Sequence, residues 1–170
     1  MIITDGNDWI EIKDYLPYGA FIAIQEGRVS QALPSLIVSW SENVPINEYY
    51  CSKLRSELVY KILQTAYDRI RDFQRHDHEM VFRIFKNLMR GHKYPDDEYV
   101  QELQNKYYNI LMVATDHKGN LIQLPYPGGL YDQPFDFVIM ANIFKSAFVS
   151  YLAEENEKYA KKGGSRSFRK

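Results

Sequence analysis

Cysteine is nearly absent: the single Cys51 among 170 residues excludes an internal disulfide and a thiolate metal cluster. An excess of one charge is missing too. The formal net charge is −1, so bulk attraction to nucleic acid or to an acidic membrane has no basis. No stretch reaches the roughly 18 uninterrupted apolar residues a membrane helix needs. The start lacks the basic and apolar run of a secretory signal, which points to cytoplasmic synthesis. A GxxxxGK phosphate loop, a strand–loop–helix dinucleotide pattern and an internal repeat are also missing. These absences give no cofactor to expect.

Aromatic residues are what the chain has in quantity: 14 tyrosines and 9 phenylalanines. They carry large apolar area, and tyrosine keeps a polar end for a wet interface. Either a protein-binding surface or a core rich in aromatics accounts for them. Charge is unevenly spread. Residues 1–50 hold seven acids against Lys13 and Arg28, whereas Lys158, Lys161, Lys162, Arg166, Arg169 and Lys170 crowd the end.

The longest apolar pattern runs from Phe135 to Tyr151. Phe137, Met140, Ala141, Phe144, Ala147, Phe148 and Tyr151 recur at helical spacing, and Val138, Ile139 and Ile143 widen the stripe. So broad a stripe predicts a central helix with several packing partners. Asp132 is placed to cap it, with Pro134 early, where a missing N–H costs nothing.

Upstream, Trp9 to Lys13 alternates like a short strand or extended arm. Tyr18 to Ile24 reads as a helix broken near Gly27. Ser30 is the expected cap of a helix over Gln31 to Trp40, with Leu33, Leu36, Ile37 and Trp40 on one face and Pro34 early enough to be tolerated. Residues 41–50 read as a loop. Leu54, Leu58, Ile62, Ala66 and Ile70 predict a further helix. Asp77 should cap the next, carrying Met80, Val81, Ile84, Phe85 and Leu88 inward and stopping at Gly91. Asp96 should cap a helix running towards Val113, built on Tyr99, Leu103, Tyr107 and Ile110. Residues 115–120 form a hydrophilic turn.

The pattern predicts a mainly α fold, a single compact helical domain over 1–160 of about six helices with a short extended N-terminal segment. Residues 161–170 should form a flexible, disordered basic tail, since they offer little apolar area to offset ordering entropy.

Four places invite a chemical reading. His76-Asp77-His78-Glu79 holds metal-ligand residue types, but i and i+2 side chains diverge on a helix, so a solvated helix start with Asp77 as cap is the simpler account. Cys51 has no nearby histidine to generate a thiolate. Asp132 and Asp136 share helical spacing, yet a cap and a first-turn charge explain them. Gly128-Gly129, with prolines on both sides, fits a stiff shaped connector better than an anion loop. No catalytic, cofactor or metal residue is assigned. Partner-binding candidates are Trp40, Tyr126, Leu130 and Tyr131. For Trp40 a rim position covering the core is the simpler account, and for the others packing onto the protein's own helices is.

The order Leu16-Pro17-Tyr18-Gly19 into a short helix, Leu36-Ile37-Val38-Ser39-Trp40, a loop with Pro45, then a helix from Leu54 to Ile70 resembles the tail assembly chaperones of long-tailed bacteriophages. The resemblance covers roughly residues 9–70. It implies a small helical domain with Trp40 ending the second helix and Leu54, Leu58 and Ile62 as scaffold. It also implies coating of the hydrophobic tape measure protein and delivery of tail tube subunits, in the host cytoplasm and without catalysis. Lys161-Lys162-Gly163 is compatible with the ribosomal slippage that gives many members a longer form. Self-association fits a client that offers repeated weak contacts. Nucleic acid and membrane are not expected partners. Two other readings stay open: a structural or adaptor subunit retained in a phage particle, and a small helical metal-dependent enzyme using residues 76–79.

Overall fold

A computed structural model describes the backbone of residues 1–164 and the side chains of residues 1–161. The chain is mainly helical, with a small N-terminal β element and a long C-terminal helix. It divides into two compact units, one of Met1–Arg75 with Tyr126–Val138, the other of His76–Pro125 with Ile139–Lys170.

The first unit opens with β1 (Ile2–Asp5) and β2 (Asp8–Ile12), an antiparallel hairpin in which Ile3 faces Ile10. Gly6 supplies the positive φ, 63°, that the tight connection requires. Alternation puts Ile10 and Ile12 in the core, while Trp9 stays partly exposed. Helices α1 (Tyr18–Gln25) and α2 (Val29–Leu36) follow, then β3 (Ile37–Trp40), which pairs antiparallel with β2.

That strand corrects the sequence expectation of a helix through Trp40. The helix ends at Leu36, and Ile37 turns extended with ψ 132°. Ile37 and Val38 are β-branched and suit a pleated surface, and pairing with β2 satisfies their backbone in a way local periodicity could not register. The cap is corrected as well: α2 starts at Val29, and the Ser30 hydroxyl donates to Glu48 instead.

Within the expected 41–50 loop, Asn47 caps the short α3 (Glu48–Cys51) by accepting from the Tyr50 N–H. Helix α4 (Ser56–Phe73) buries Leu58, Ile62, Ala66 and Ile70 along one stripe, as their spacing predicted, and Phe73 extends it. Leu54, expected as the first position, lies in the bend before the helix, which starts only at Ser56. On β1, the Thr4 and Asp5 carbonyls accept hydrogen bonds from Lys61 and Arg55. The start of α8 (Phe135–Gly164) completes this core: Phe135 has Phe21 and Phe73 rings at 5.0 and 5.2 Å.

In the second unit, Asp77 caps α5 (His78–Met89) by accepting from the Glu79 and Met80 N–H groups. Val81, Ile84, Phe85 and Leu88 are buried, whereas Met80, expected inside, is 49% exposed, because the packed stripe is centred on Val81, Phe85 and Leu88 and Met80 lies beside it in the first turn. Gly91 follows with φ 81°. Asp97, not Asp96, caps α6 (Glu98–Leu103), through the Val100 N–H. The helix then widens into a π-turn over Gln104–Tyr108 before α7 (Asn109–Ala114). A π-turn holds one more residue than an α-turn, so the inward positions beyond it shift. Leu111 is fully buried, whereas Ile110, expected inside, is 41% exposed.

Asp116 organises the following turn by accepting from the Lys118 and Asn120 N–H groups. From α8, Met140, Ala141, Phe144 and Ala147 fill this core, and Lys86 and Arg90 both pair with Glu154. By length and composition α8 could cross a membrane. Its Phe135–Ala147 face is instead the packed core stripe that its sequence predicted. The helix extends to Gly164, past the expected end near Ala160. Of the expected basic tail, residues 165–170 lie outside the described residues.

Candidate protein-interaction surface

The segment between Tyr126 and Pro134 is a closed loop whose shape is fixed by its own polar groups. Gly128 has φ +99°, a conformation side chains rarely adopt, and a Cβ there would sit 2.6 Å from the Asp132 carboxylate. Asp132 lies in a short 3₁₀ turn (Leu130–Asp132), and its carboxylate accepts from the Gly129 N–H at 2.8 Å. The expected capping of α8 by Asp132 is therefore corrected: the group closes the loop that precedes the helix. The α8 start is held otherwise, by the Phe135 N–H donating to the Leu16 carbonyl.

Gln133 is the centre of the loop. Its side chain is wholly buried. The Oε1 atom accepts from the Tyr126 N–H at 3.0 Å, while Nε2 donates to the Tyr126 and Gly129 carbonyls at 2.9 and 3.1 Å. The Gln133 carbonyl accepts in turn from the Tyr18 N–H at 2.8 Å, which ties the loop to the start of α1. Nothing in the local sequence distinguished Gln133, because its partners are backbone groups that carry no residue signature.

On this frame stand the candidate side chains. Tyr126, Leu130 and Tyr131 are 46%, 44% and 66% exposed. Tyr131 lies nearly parallel to Tyr18, ring centroids 6.1 Å apart, over Gly19, where a Cβ would meet it at 3.2 Å. Tyr126 leans on Tyr15 at 5.4 Å. Burial, then the Asp132 and Asp14 carboxylates, push the Tyr15 phenol above its ordinary value. Each exposed tyrosine thus has one face supported and the other facing solvent, a geometry that limits the entropy lost when a partner docks.

Trp40 is placed differently. It is 8% exposed, and its indole N–H donates to the Val44 carbonyl at 2.9 Å. With Ile10, Leu54 and Leu58 it lines a pocket of about 80 Å³, so it serves as a core wall of the first unit. Of the four candidates, the loop collects Tyr126, Leu130 and Tyr131 and excludes Trp40.

A second apolar surface was not singled out from the sequence. In the second unit, Ile110, Val113, Ala114 and Pro125, with Asn109 and Gln123, line an open groove of about 360 Å³. The π-turn is what leaves Ile110 there.

His76 Nδ1 meets the Tyr99 hydroxyl at 2.9 Å, Asp77 caps α5, and Glu79 pairs with Arg83. Among the described residues no group of three or more His, Cys, Asp or Glu side chains is placed to hold a metal. Cys51 is buried, and burial pushes its thiol above the ordinary value, away from nucleophilic use. In comparisons with family models, curated proteins and solved structures, no match was found.

Proposed function

We propose that this chain is a non-catalytic assembly chaperone of the kind that serves long-tailed bacteriophages. It binds the hydrophobic tape measure protein in the host cytoplasm and helps recruit tail tube subunits. The observation that carries this reading is the internally hydrogen-bonded loop presenting Tyr126, Leu130 and Tyr131 to solvent. An apolar helical client needs its side chains masked reversibly, and a few supported aromatic anchors do that with modest affinity per contact. Many weak contacts along one long client add through effective concentration, so self-association of the chaperone belongs to the same reading.

Co-expression with the tape measure protein of the same phage, followed by capture, tests it. Wild-type chain should retain the client, and added tail tube protein should displace it. The Leu130→Ser/Tyr131→Ala double variant should weaken capture by about ten-fold or more, the scale of truncating one or two interface anchors. Recovery of the chain at a fixed ratio in finished particles would instead establish a structural subunit.

A further inference from the structure

We propose that Gln133 is the positioning residue of the interaction loop, holding it in its binding shape before any partner arrives. The inference rests on the chaperone reading for what the loop binds, but not for how the loop is held. The side-chain nitrogen of Gln133 donates to two backbone carbonyls of the loop, and its oxygen takes the Tyr126 N–H. The two carbonyls fix the orientation of the carboxamide, since a reversed amide would set oxygen against oxygen. A wholly buried amide with all these groups engaged leaves the loop few alternative conformations. Leu130 and Tyr131 sit on the turn between the two anchored carbonyls and Gln133 itself. They are displayed by a side chain that no partner can touch.

Other polar groups cannot substitute for it. The Asp132 carboxylate accepts from the Gly129 N–H, and the Asp132 and Gln133 N–H groups donate to the Gly129 and Leu130 carbonyls, so none of these bonds takes the Tyr126 N–H or carbonyl. The link from the Gln133 carbonyl to Tyr18 is a main-chain bond that any residue at 133 keeps. The loop therefore separates into a main-chain tether that survives substitution and a side-chain latch that does not.

Two substitutions distinguish a latch from general packing. Gln133→Leu keeps the volume and removes the three hydrogen bonds. Gln133→Glu keeps the acceptor for Tyr126 but, when ionised, turns a bare carboxylate oxygen towards the Tyr126 and Gly129 carbonyls. Protonation returns one donor. The closed loop favours the protonated acid and raises the pKa of the introduced carboxyl, so closure is present at low pH and lost as pH rises through that value.

The experiment is amide hydrogen exchange on the full chain, with exchange rates corrected for their intrinsic pH dependence. In Gln133→Leu the Tyr126 amide should exchange about ten-fold faster, the upper end of what one lost part-buried hydrogen bond contributes. Amides of Ile62 and Ala66 in the middle of α4 should change by less than about two-fold, since the tether and core remain. In Gln133→Glu the same loop opening should appear at neutral pH and diminish on acidification. Unchanged protection at Tyr126 in Gln133→Leu overturns the proposal, as does an equal rise throughout the first unit. If Gln133→Leu does not fold, pH-independent Tyr126 protection in Gln133→Glu overturns it equally. Capture of the tape measure protein by the same variants then reads the functional side. Wild-type chain that captures no client overturns the chaperone reading, while the exchange result still decides the latch.

Discussion

Replacing Phe144 with alanine should be among the most damaging single changes available in the second unit. Phe144 is fully buried on α8. Its ring stands edge-on to Phe85 and Tyr108 at 5.9 Å each and stacks on Phe148 at 6.0 Å. Burying a phenylalanine side chain contributes about 1.5 to 3 kcal/mol. Each aromatic pair adds about 0.5 to 1.5 kcal/mol beyond area. A ring removed from between three others leaves a cavity that stiff neighbours cannot close; changes of this kind cost about 3 to 5 kcal/mol, the lower part of the roughly 3 to 7.5 kcal/mol to which the separate contributions add. Measured against the marginal stability of ordinary domains, about 5 to 15 kcal/mol, that is a large fraction. Urea unfolding followed by near-ultraviolet dichroism of the tyrosines would give the change in midpoint and slope. Phe144→Leu, which refills much of the volume but loses the three ring pairs, should cost less than the alanine change yet still about 1.5 kcal/mol or more. An alanine variant that loses less than about 1 kcal/mol would refute the assignment of this aromatic cluster as a tightly packed core.

Gly128→Ala should destabilise the loop by about 1 to 3 kcal/mol, because the new Cβ meets the Asp132 carboxylate in a conformation reserved for glycine. Thermal melting checks it, and an unchanged midpoint would mean that the turn is not held at positive φ. Acid should weaken the second unit through Glu154, whose carboxyl is held at about 2, below its ordinary 4.5, by hydrogen bonds from Lys86 and then Arg90. A depressed folded-state value means that this contribution is complete above 4.5 and is lost as pH falls towards 2. Comparing unfolding midpoints of wild type and Glu154→Gln across that range tests the sign. The two should converge on acidification, and a constant gap would contradict the assignment.

Much of the helical frame was legible because its causes are local. The stripe Leu58, Ile62, Ala66 and Ile70 in α4 follows from a 3.6-residue period over eighteen positions. Asp77 reads as a cap because a short acceptor before an apolar run has an unsatisfied N–H within reach. The loop candidates Tyr126, Leu130 and Tyr131 were visible as aromatic and apolar residues among turn formers. Their exposure was not, since it depends on which faces Tyr15, Tyr18 and Gly19 cover.

The α4 period, the Asp77 cap and the apolar stripe of α8 were determined by the sequence itself, because each depends on residues within a few positions of one another, whereas Ser30, Asp96 and Asp132 did not become the caps their positions suggested. Tertiary structure alone decided that Ile37–Trp40 would pair with β2, that a π-turn would turn Ile110 outward, that Trp40 would be walled into a core and that Gln133 would latch a loop. Strand pairing and the packing around Trp40 join groups far apart in the chain. The Gln133 latch spans only seven residues, yet it acts on main-chain groups, and no residue pattern announces which carbonyl a buried amide will meet.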